Sequence, residues 1–413
     1  MLPRRTLLKS ISAGAGGLAF APPFTALAAA TPAGSAQRTA KHVEHVVAYR
    51  APGRYGGWPA NYGMWSWKSE ILIQFTAGAF VKDHDAQHRT HKINRSEPIQ
   101  VMQGRSLDDG RTWTTEPFTG RIPNDGALCA SDHGGKQFGD VYAGTNPPVN
   151  LETPLDFSSP ETAVLVGFTT CHAAPEPVFS WFYASQDRGR TWGGPYRFNG
   201  LDESLLLAGR TDIVRLGPER ALFMISCHKR NGREGRIFCA ETRDGGRTFE
   251  LRSWLAEELD DGYEIMPSSV RLADGRILTA SRVGAGKGIS EGRIRLYESQ
   301  DDGRSWQALP PAVPDTGRLS NPPALLQLRD GRLCLVYGFR NPPSGMRARL
   351  SADAGRTWGA DIVLRADGGD HDIGYPRAVL NSRGQVVTAY YFNTEPRSER
   401  FIGVSIWDAE REA

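Results

Sequence analysis

The chain has 413 residues, with 49 Lys plus Arg against 46 Asp plus Glu for a formal net charge of +3, and it contains 46 Gly and 27 Pro. That near balance argues against the basic stripe of a nucleic-acid-binding surface, and no interior apolar run approaches the ~18 residues of a membrane span. So much Gly and Pro suits many short strands joined by turns.

The first element is an address. Pro3-Arg4-Arg5-Thr6-Leu7-Leu8-Lys9 is followed by a weakly apolar Gly/Ala stretch and then by Ala26-Leu27-Ala28, a small-residue cleavage site. Residues 1–28 therefore read as a twin-arginine-type signal peptide. An ordinary secretory peptide with an incidental Arg pair would lead to the same place, the periplasm or the exterior. No membrane contact is expected beyond this segment. Residues 29–41 read as a polar linker and 42–413 as one domain. Five cysteines, Cys129, Cys171, Cys227, Cys239 and Cys334, leave at least one unpaired. Cys227 and Cys239 flank the hairpin loop HKRNGREGR and are candidate cross-strand neighbours, with buried free thiols as the other reading. No metal-ligand spacing occurs among them, and neither metal nor cofactor is expected.

Five copies of an octet, Ser/Thr-x-Asp-x-Gly-x-Thr/Ser-Trp/Phe, follow along the chain. They are SLDDGRTW from Ser106, SQDRGRTW from Ser185, TRDGGRTF from Thr242, SQDDGRSW from Ser299 and SADAGRTW from Ser351. The Asp can accept hydrogen bonds from its own turn, and the Gly supplies a positive φ. Strand–turn–strand units precede the octets, most clearly SSVRLADGRILTASR, PALLQLRDGRLCLVYGFR and PRAVLNSRGQVVTAYYF. The last unit ends in FIGVSIWD without an octet, so the pattern predicts six repeats and five octets. One such sheet cannot bury both of its faces alone. The predicted fold is all-β, a six-bladed β-propeller of four-stranded antiparallel blades, with HVEHVVAYR supplying an outer strand to the last blade.

A six-bladed propeller carrying these octets resembles the sialidase superfamily, in which the octets are Asp boxes facing away from the active site. The resemblance implies an exported exo-acting glycoside hydrolase that removes a terminal, acidic sugar from a glycan or polysaccharide by a retaining mechanism. In that family a Tyr nucleophile is paired with a Glu, an Asp is the acid/base, and three arginines clamp the sugar carboxylate. By resemblance Tyr375, ahead of the turn Gly384 in GYPRAVLNSRG, is the nucleophile. Arg282, ending LADGRILTASR, and Arg340, ending LCLVYGFR, are clamp residues.

Elsewhere the sequence departs from the family. The slot of the first arginine holds Gly57 in Gly56-Gly57-Trp58-Pro59, with Arg50 and Arg54 as substitutes, and the slot of its Glu brace holds Tyr391. The carboxylate partner of the Tyr falls at Met266, so Glu264, two residues away, is expected to face the same side of an extended strand. Asp372 and Asp212 are rival bases, and Asp212 is also placed at the sugar. The acid/base belongs to VKDHDAQHRTHKINR, where Asp83 and Asp85 compete and His84, His88 and His91 form either a proton-transfer cluster or a weak metal site. Trp58 is a candidate platform for a sugar ring. Two other activities fit the same residues: a polysaccharide lyase, with Tyr or His abstracting the proton beside a uronate carboxylate, and a non-catalytic carbohydrate-binding propeller.

Overall fold

The structure, a computed structural model, describes residues 37–82, 91–94, 97–125, 143–168, 179–284 and 292–412. The predicted Asp83, Asp85, His84, His88, Cys129, Cys171 and signal peptide lie outside the described residues.

Each octet closes a turn between the last two strands of a blade, and its polar side chains do the closing. In the first, Ser106 Oγ donates to Asp108 Oδ1 (2.8 Å) and accepts the Gly110 N–H (2.9 Å). The same carboxylate accepts the N–H and hydroxyl of Thr112 at 2.8 and 2.7 Å. Asp187, Asp244, Asp301 and Asp353 repeat these bonds with Thr191, Thr248, Ser305 and Thr357. The octet glycines take φ of +92°, +71°, +90°, +78° and +83°, as the motif predicts.

The strands run in chain order around the ring. β1 (Arg38–Thr39) precedes β2 (Val43–Tyr49). The first blade comprises β3 (Arg54–Gly57), β4 (Met64–Trp67), β5 (Glu70–Ala79), β6 (Gln100–Ser106) and β7 (Thr114–Pro117). The second contains β8 (Ala163–Phe168), β9 (Ser180–Ser185) and β10 (Gly193–Arg197) among the described residues. β11 (Leu207–Arg215), β12 (Ala221–His228), β13 (Glu234–Thr242) and β14 (Glu250–Trp254) make the third. The fourth is β15 (Tyr263–Arg271), β16 (Ile277–Gly284), β17 (Gly292–Ser299) and β18 (Gln307–Val313). The fifth is β19 (Ala324–Gln327), β20 (Leu333–Phe339), β21 (Gly345–Ser351) and β22 (Ile362–Arg365). β23 (Gly374–Leu380), β24 (Val386–Phe392) and β25 (Phe401–Trp407) make the sixth, and β2 completes it antiparallel to β25, from Val43↔Trp407 to Tyr49↔Ile402. The ring therefore closes with its own N-terminal strand. The end of the segment read as linker is not idle: β1 pairs in parallel with β22 through Arg38↔Ile362 and Thr39↔Val363.

Neighbouring blades bury apolar faces against each other. Ile71, Ile73 and Phe75 of the first blade meet Val387, Tyr391 and Ile402 of the sixth, and Leu278, Ala280 and Leu296 of the fourth meet Leu325, Leu333 and Leu335 of the fifth. Strands sandwiched this way are buried on both faces, as β12 and β16 are throughout, and β12 accordingly opens with the continuous apolar run ALFMI. Cys227 and Cys239 are buried free thiols of such strands. They are out of register, facing Arg236 and Met224 across the β12–β13 pair.

Candidate functional site

Opposite the octets, the inner strands open with an irregularity that the sequence repeats: Trp58-Pro59, Met266-Pro267 and Tyr375-Pro376. Trp58, Met266 and Tyr375 all have left-handed backbones, with φ of 55°, 57° and 53°. Pairing skips between Ile265 and Ser268 on β15, and between Gly374 and Arg377 on β23. Such bulges turn a side chain off the regular alternation. Leu319 and Ser320 are left-handed as well, at 61° and 48°. Non-glycine residues in this region cost about 1–3 kcal/mol each and cluster where a site over-determines them. Asn321 fixes the Tyr375 bulge, accepting the Tyr375 N–H (3.0 Å) and donating to the Ile373 carbonyl (3.1 Å).

Arg282, at the end of β16, is the hub. Its Nη1 donates to the Tyr375 hydroxyl (2.7 Å) and its Nη2 to the Tyr263 hydroxyl (3.1 Å). Nε donates to Ser320 Oγ (2.7 Å), and Nη2 also reaches the Leu319 carbonyl (2.7 Å). Burial works against the guanidinium charge, but the two phenols outweigh it and raise the Arg282 pKa. Arg340 lies 5.6 Å from the Tyr375 ring centre and donates to the carbonyls of Ile373 and Ser320 and to the Tyr391 hydroxyl (2.9 Å). The Tyr391 hydroxyl in turn donates to Asp372 Oδ1 (2.7 Å), which also meets His91 Nδ1 (2.7 Å). Burial alone would push the Asp372 carboxyl up. The His91 contact, the Arg400 charge and the Tyr391 hydroxyl hold it far below the ordinary carboxylate range. Burial and the adjacent Asp372 charge push the Tyr391 phenol well above its usual value, so it stays protonated.

Tyr375, Arg282 and Arg340 thus converge, as expected. Glu264 does not join them. The kink at Met266 breaks the alternation that would have aligned it, and its carboxylate accepts from Ser281 (2.5 Å), Tyr297 (2.8 Å) and Arg295 (3.1 Å) within its own blade. Asp212 is deeper, in an axial cavity of about 240 Å³ shared with Arg377 and Ser269. It accepts the Ser269 N–H (2.5 Å) and sits 3.7 Å from Arg377, with burial pushing its carboxyl up against that charge. Arg50 stacks on Phe401 (4.0 Å), and Arg54 opens β3 opposite Ala79; neither replaces the missing arginine beside Tyr375. Trp58 is only 2% exposed, packed against Tyr55 (5.1 Å) and the edge of His91 (4.8 Å), so it is a wall and not an open platform.

Two participants escaped sequence reasoning. Tyr263 opens β15 and also bonds Ser320 Oγ (2.8 Å). Arg210, on a register shift of β11 after the left-handed Gly209, forms a buried ion pair with Glu234 and lies near enough to Arg282 to oppose its charge. The recurring kink before Pro was the sequence signal that could have warned against counting by twos. Nothing local marks Arg210 and Glu234 as partners across strands. Among the described residues no group of three His, Cys, Asp or Glu could hold a metal ion.

The family pattern of a BNR repeat-like domain matches residues 141–388, and the chain belongs to that family. No curated protein matches the sequence. Among solved structures, a protein of unknown function from Dyadobacter fermentans is similar at 22% identity and a TM-score of 0.64, over 88% of this chain and 98% of that one. Trypanosoma rangeli sialidase in complex with the inhibitor DANA is similar at 11% identity and 0.56, over 90% of this chain and 60% of that one. An α-L-arabinofuranosidase from Fusarium graminearum in complex with an iminosugar inhibitor is similar at 11% identity and 0.52, over 87% of this chain and 97% of that one. The fold is therefore that of propeller glycoside hydrolases, a likeness that extends to scaffold and not to specificity.

Proposed function

We propose that this protein is an exported exo-acting glycoside hydrolase that removes a terminal acidic sugar from a glycan, with Tyr375 as nucleophile and Arg282 and Arg340 facing the sugar's carboxylate. The twin-arginine leader would carry it to the periplasm or beyond. One observation supports this reading above the rest. Arg282 and Arg340 are 6% and 3% exposed, and among the described residues neither forms a salt bridge to a carboxylate. Buried guanidinium groups are ordinarily paired, because an unpaired charge is costly to hold out of water. Here their neighbours are phenols and carbonyls, an arrangement that suits an incoming anion. The phenol of Tyr375 on Arg282 suits attack on an anionic sugar, where a carboxylate nucleophile would be repelled.

The test is release of para-nitrophenol from glycosides of glucuronic acid, galacturonic acid, sialic acid and arabinofuranose. Turnover of an acidic glycoside is expected, with little on the sialic acid compound because Gly57 replaces the first clamp arginine. Tyr375→Phe should abolish kcat with a much smaller effect on KM. Turnover confined to the neutral arabinofuranoside would overturn the reading. That no carboxylate among the described residues bonds Tyr375 favours a second activity, β-elimination from a uronate with Tyr375 as base. An ultraviolet-absorbing unsaturated uronate released from a polysaccharide would establish it.

A further inference from the structure

We infer that Tyr263 is a further catalytic residue, the phenol that gives a proton to the leaving oxygen and takes one from the attacking water while Tyr375 makes and breaks the bond to the sugar. The inference rests on the hydrolytic reading above and concerns the group that stands in for the carboxylate partner of Tyr375 that Glu264 does not provide.

The geometry is that of two phenols on one cation. Nη1 of Arg282 holds Tyr375 and Nη2 holds Tyr263. The guanidinium carbon lies 5.3 Å from the centre of each ring. Ser320 supplies a second hydrogen bond to the Tyr263 oxygen, from a loop whose left-handed Leu319 and Ser320 turn that hydroxyl inward. The Tyr263 ring lies so close over Gly284 that a Cβ there would come 2.3 Å from its hydroxyl oxygen, so the ring has a fixed seat. Of the three phenols at this mouth, Tyr391 is sealed, Tyr375 is 8% exposed and Tyr263 is partly exposed, open to a ligand.

A single guanidinium neutralises one negative charge, so the pair is balanced when it holds one proton between two oxygens. At rest the charge sits on Tyr263, which takes the Tyr375 proton; the Tyr375 oxygen then attacks the anomeric carbon, the bond to the aglycone breaks, and the departing oxygen takes that proton from Tyr263. The intermediate is a glycosyl ether on Tyr375 beside a Tyr263 phenolate. That phenolate then removes a proton from water as the water oxygen bonds to the anomeric carbon and Tyr375 leaves as phenolate. Only water is consumed, and at every stage Arg282 and Arg340 together face one phenolate and the sugar's carboxylate. The groups facing Tyr263 agree. Burial opposes its ionisation, but Arg282, the Ser320 hydrogen bond and Arg340 overcome burial and lower its pKa. The Lys229 ammonium is nearby on the carbonyls of Leu259 and Gly262, while Glu264 is engaged with Arg295 on its own sheet.

Tyrosinate ultraviolet absorbance of the full chain, titrated without substrate, reads this directly. The wild type should show one phenol ionising below the ordinary value of about 10. Tyr263→Phe should lose that step at an unchanged melting midpoint, and Tyr375→Phe should keep it. Should Tyr263→Phe fold poorly, Ser320→Ala serves instead and should move the step upward. A step that survives Tyr263→Phe, or does not move in Ser320→Ala, overturns the inference. On any glycoside the wild type cleaves, Tyr263→Phe should lose far more rate with a poor leaving group than with para-nitrophenol, and azide should restore part of it. Equal losses with both leaving groups would reduce Tyr263 to a positioning role. If the wild type cleaves no glycoside the hydrolytic reading falls and the shuttle with it; if it cleaves and Tyr263→Phe matches it, only Tyr263 falls.

Discussion

Gly57 shows what fills the floor of this pocket. A Cβ at Gly57 would lie 2.5 Å from Cε1 of Tyr55, whose hydroxyl reaches toward Asp372 Oδ2 (3.4 Å). The space a side chain at position 57 would need is thus filled by an aromatic ring, with His91 and Arg400 gathered on Asp372 behind it. Gly57→Arg should therefore not create sialidase activity. It should lower stability by about 1–3 kcal/mol, the usual consequence of overpacking a filled core, read as a shift of the denaturation midpoint at constant slope. An active and equally stable variant would show that Tyr55 yields. Asn321 makes a second residue-scale case, since its amide holds both sides of the Tyr375 bulge. Asn321→Ala should lower kcat with the fold retained, because Tyr375 would no longer be held on Arg282. Unchanged turnover would show that Pro376 and packing alone fix the ring.

The Asp box is the element that joins blade to blade. Its glycine serves for its backbone angle and also for closeness. A Cβ at Gly355 would meet Leu296 of the fourth blade at 2.4 Å, and one at Gly189 would meet Leu72 of the first at 2.3 Å. Gly355→Ala combines a left-handed alanine with that clash, and a loss of about 2–4 kcal/mol in unfolding free energy is expected. A melting midpoint within a degree or so of wild type would refute it. The box carboxylates also predict an acid limit. Burial opposes the shift at Asp108 and Asp301, but bonds from their own turns hold both at about 2, and the Thr357 bonds put Asp353 at about 2 against an ordinary 3.8. A carboxyl depressed in the folded state stabilises above its unfolded pKa and loses that contribution as pH falls through the folded value. The denaturation midpoint should drop between pH about 4 and 2. Asp353→Asn should make that drop shallower while lowering stability at neutral pH.

At the scale of the molecule, the ring depends on two ties. β2 closes the sixth blade from the other end of the chain, covering the edge of β25 that would otherwise be unpaired. A chain starting at Ala51 should lose cooperative unfolding or aggregate, as seen by calorimetry and light scattering, whereas one starting at Lys41 should keep both ring and activity. Arg377 is the second tie. From the sixth blade it donates to the carbonyls of Tyr62, Ala60 and Thr211 and faces Asp212 of the third, so one side chain spans the axis.

The octets, the turn glycines and the alternating strands are local chemistry, and the sequence alone determined from them the six blades, the closing strand and the strand ends that carry Arg282, Arg340 and Tyr375. Each of those rests on neighbours a few residues apart. The tertiary structure decided whatever depends on which face a strand presents after a kink or on which distant strands meet. A left-handed Met266 turned Glu264 into its own sheet and left Tyr263 on Arg282. Arg210 found Glu234 across two strands, and Asp372 gathered His91, Tyr391 and Arg400 from three separate segments. Counting by twos holds only while the backbone stays extended, and a charge's partner is chosen by closure of the ring, which no short window of sequence contains.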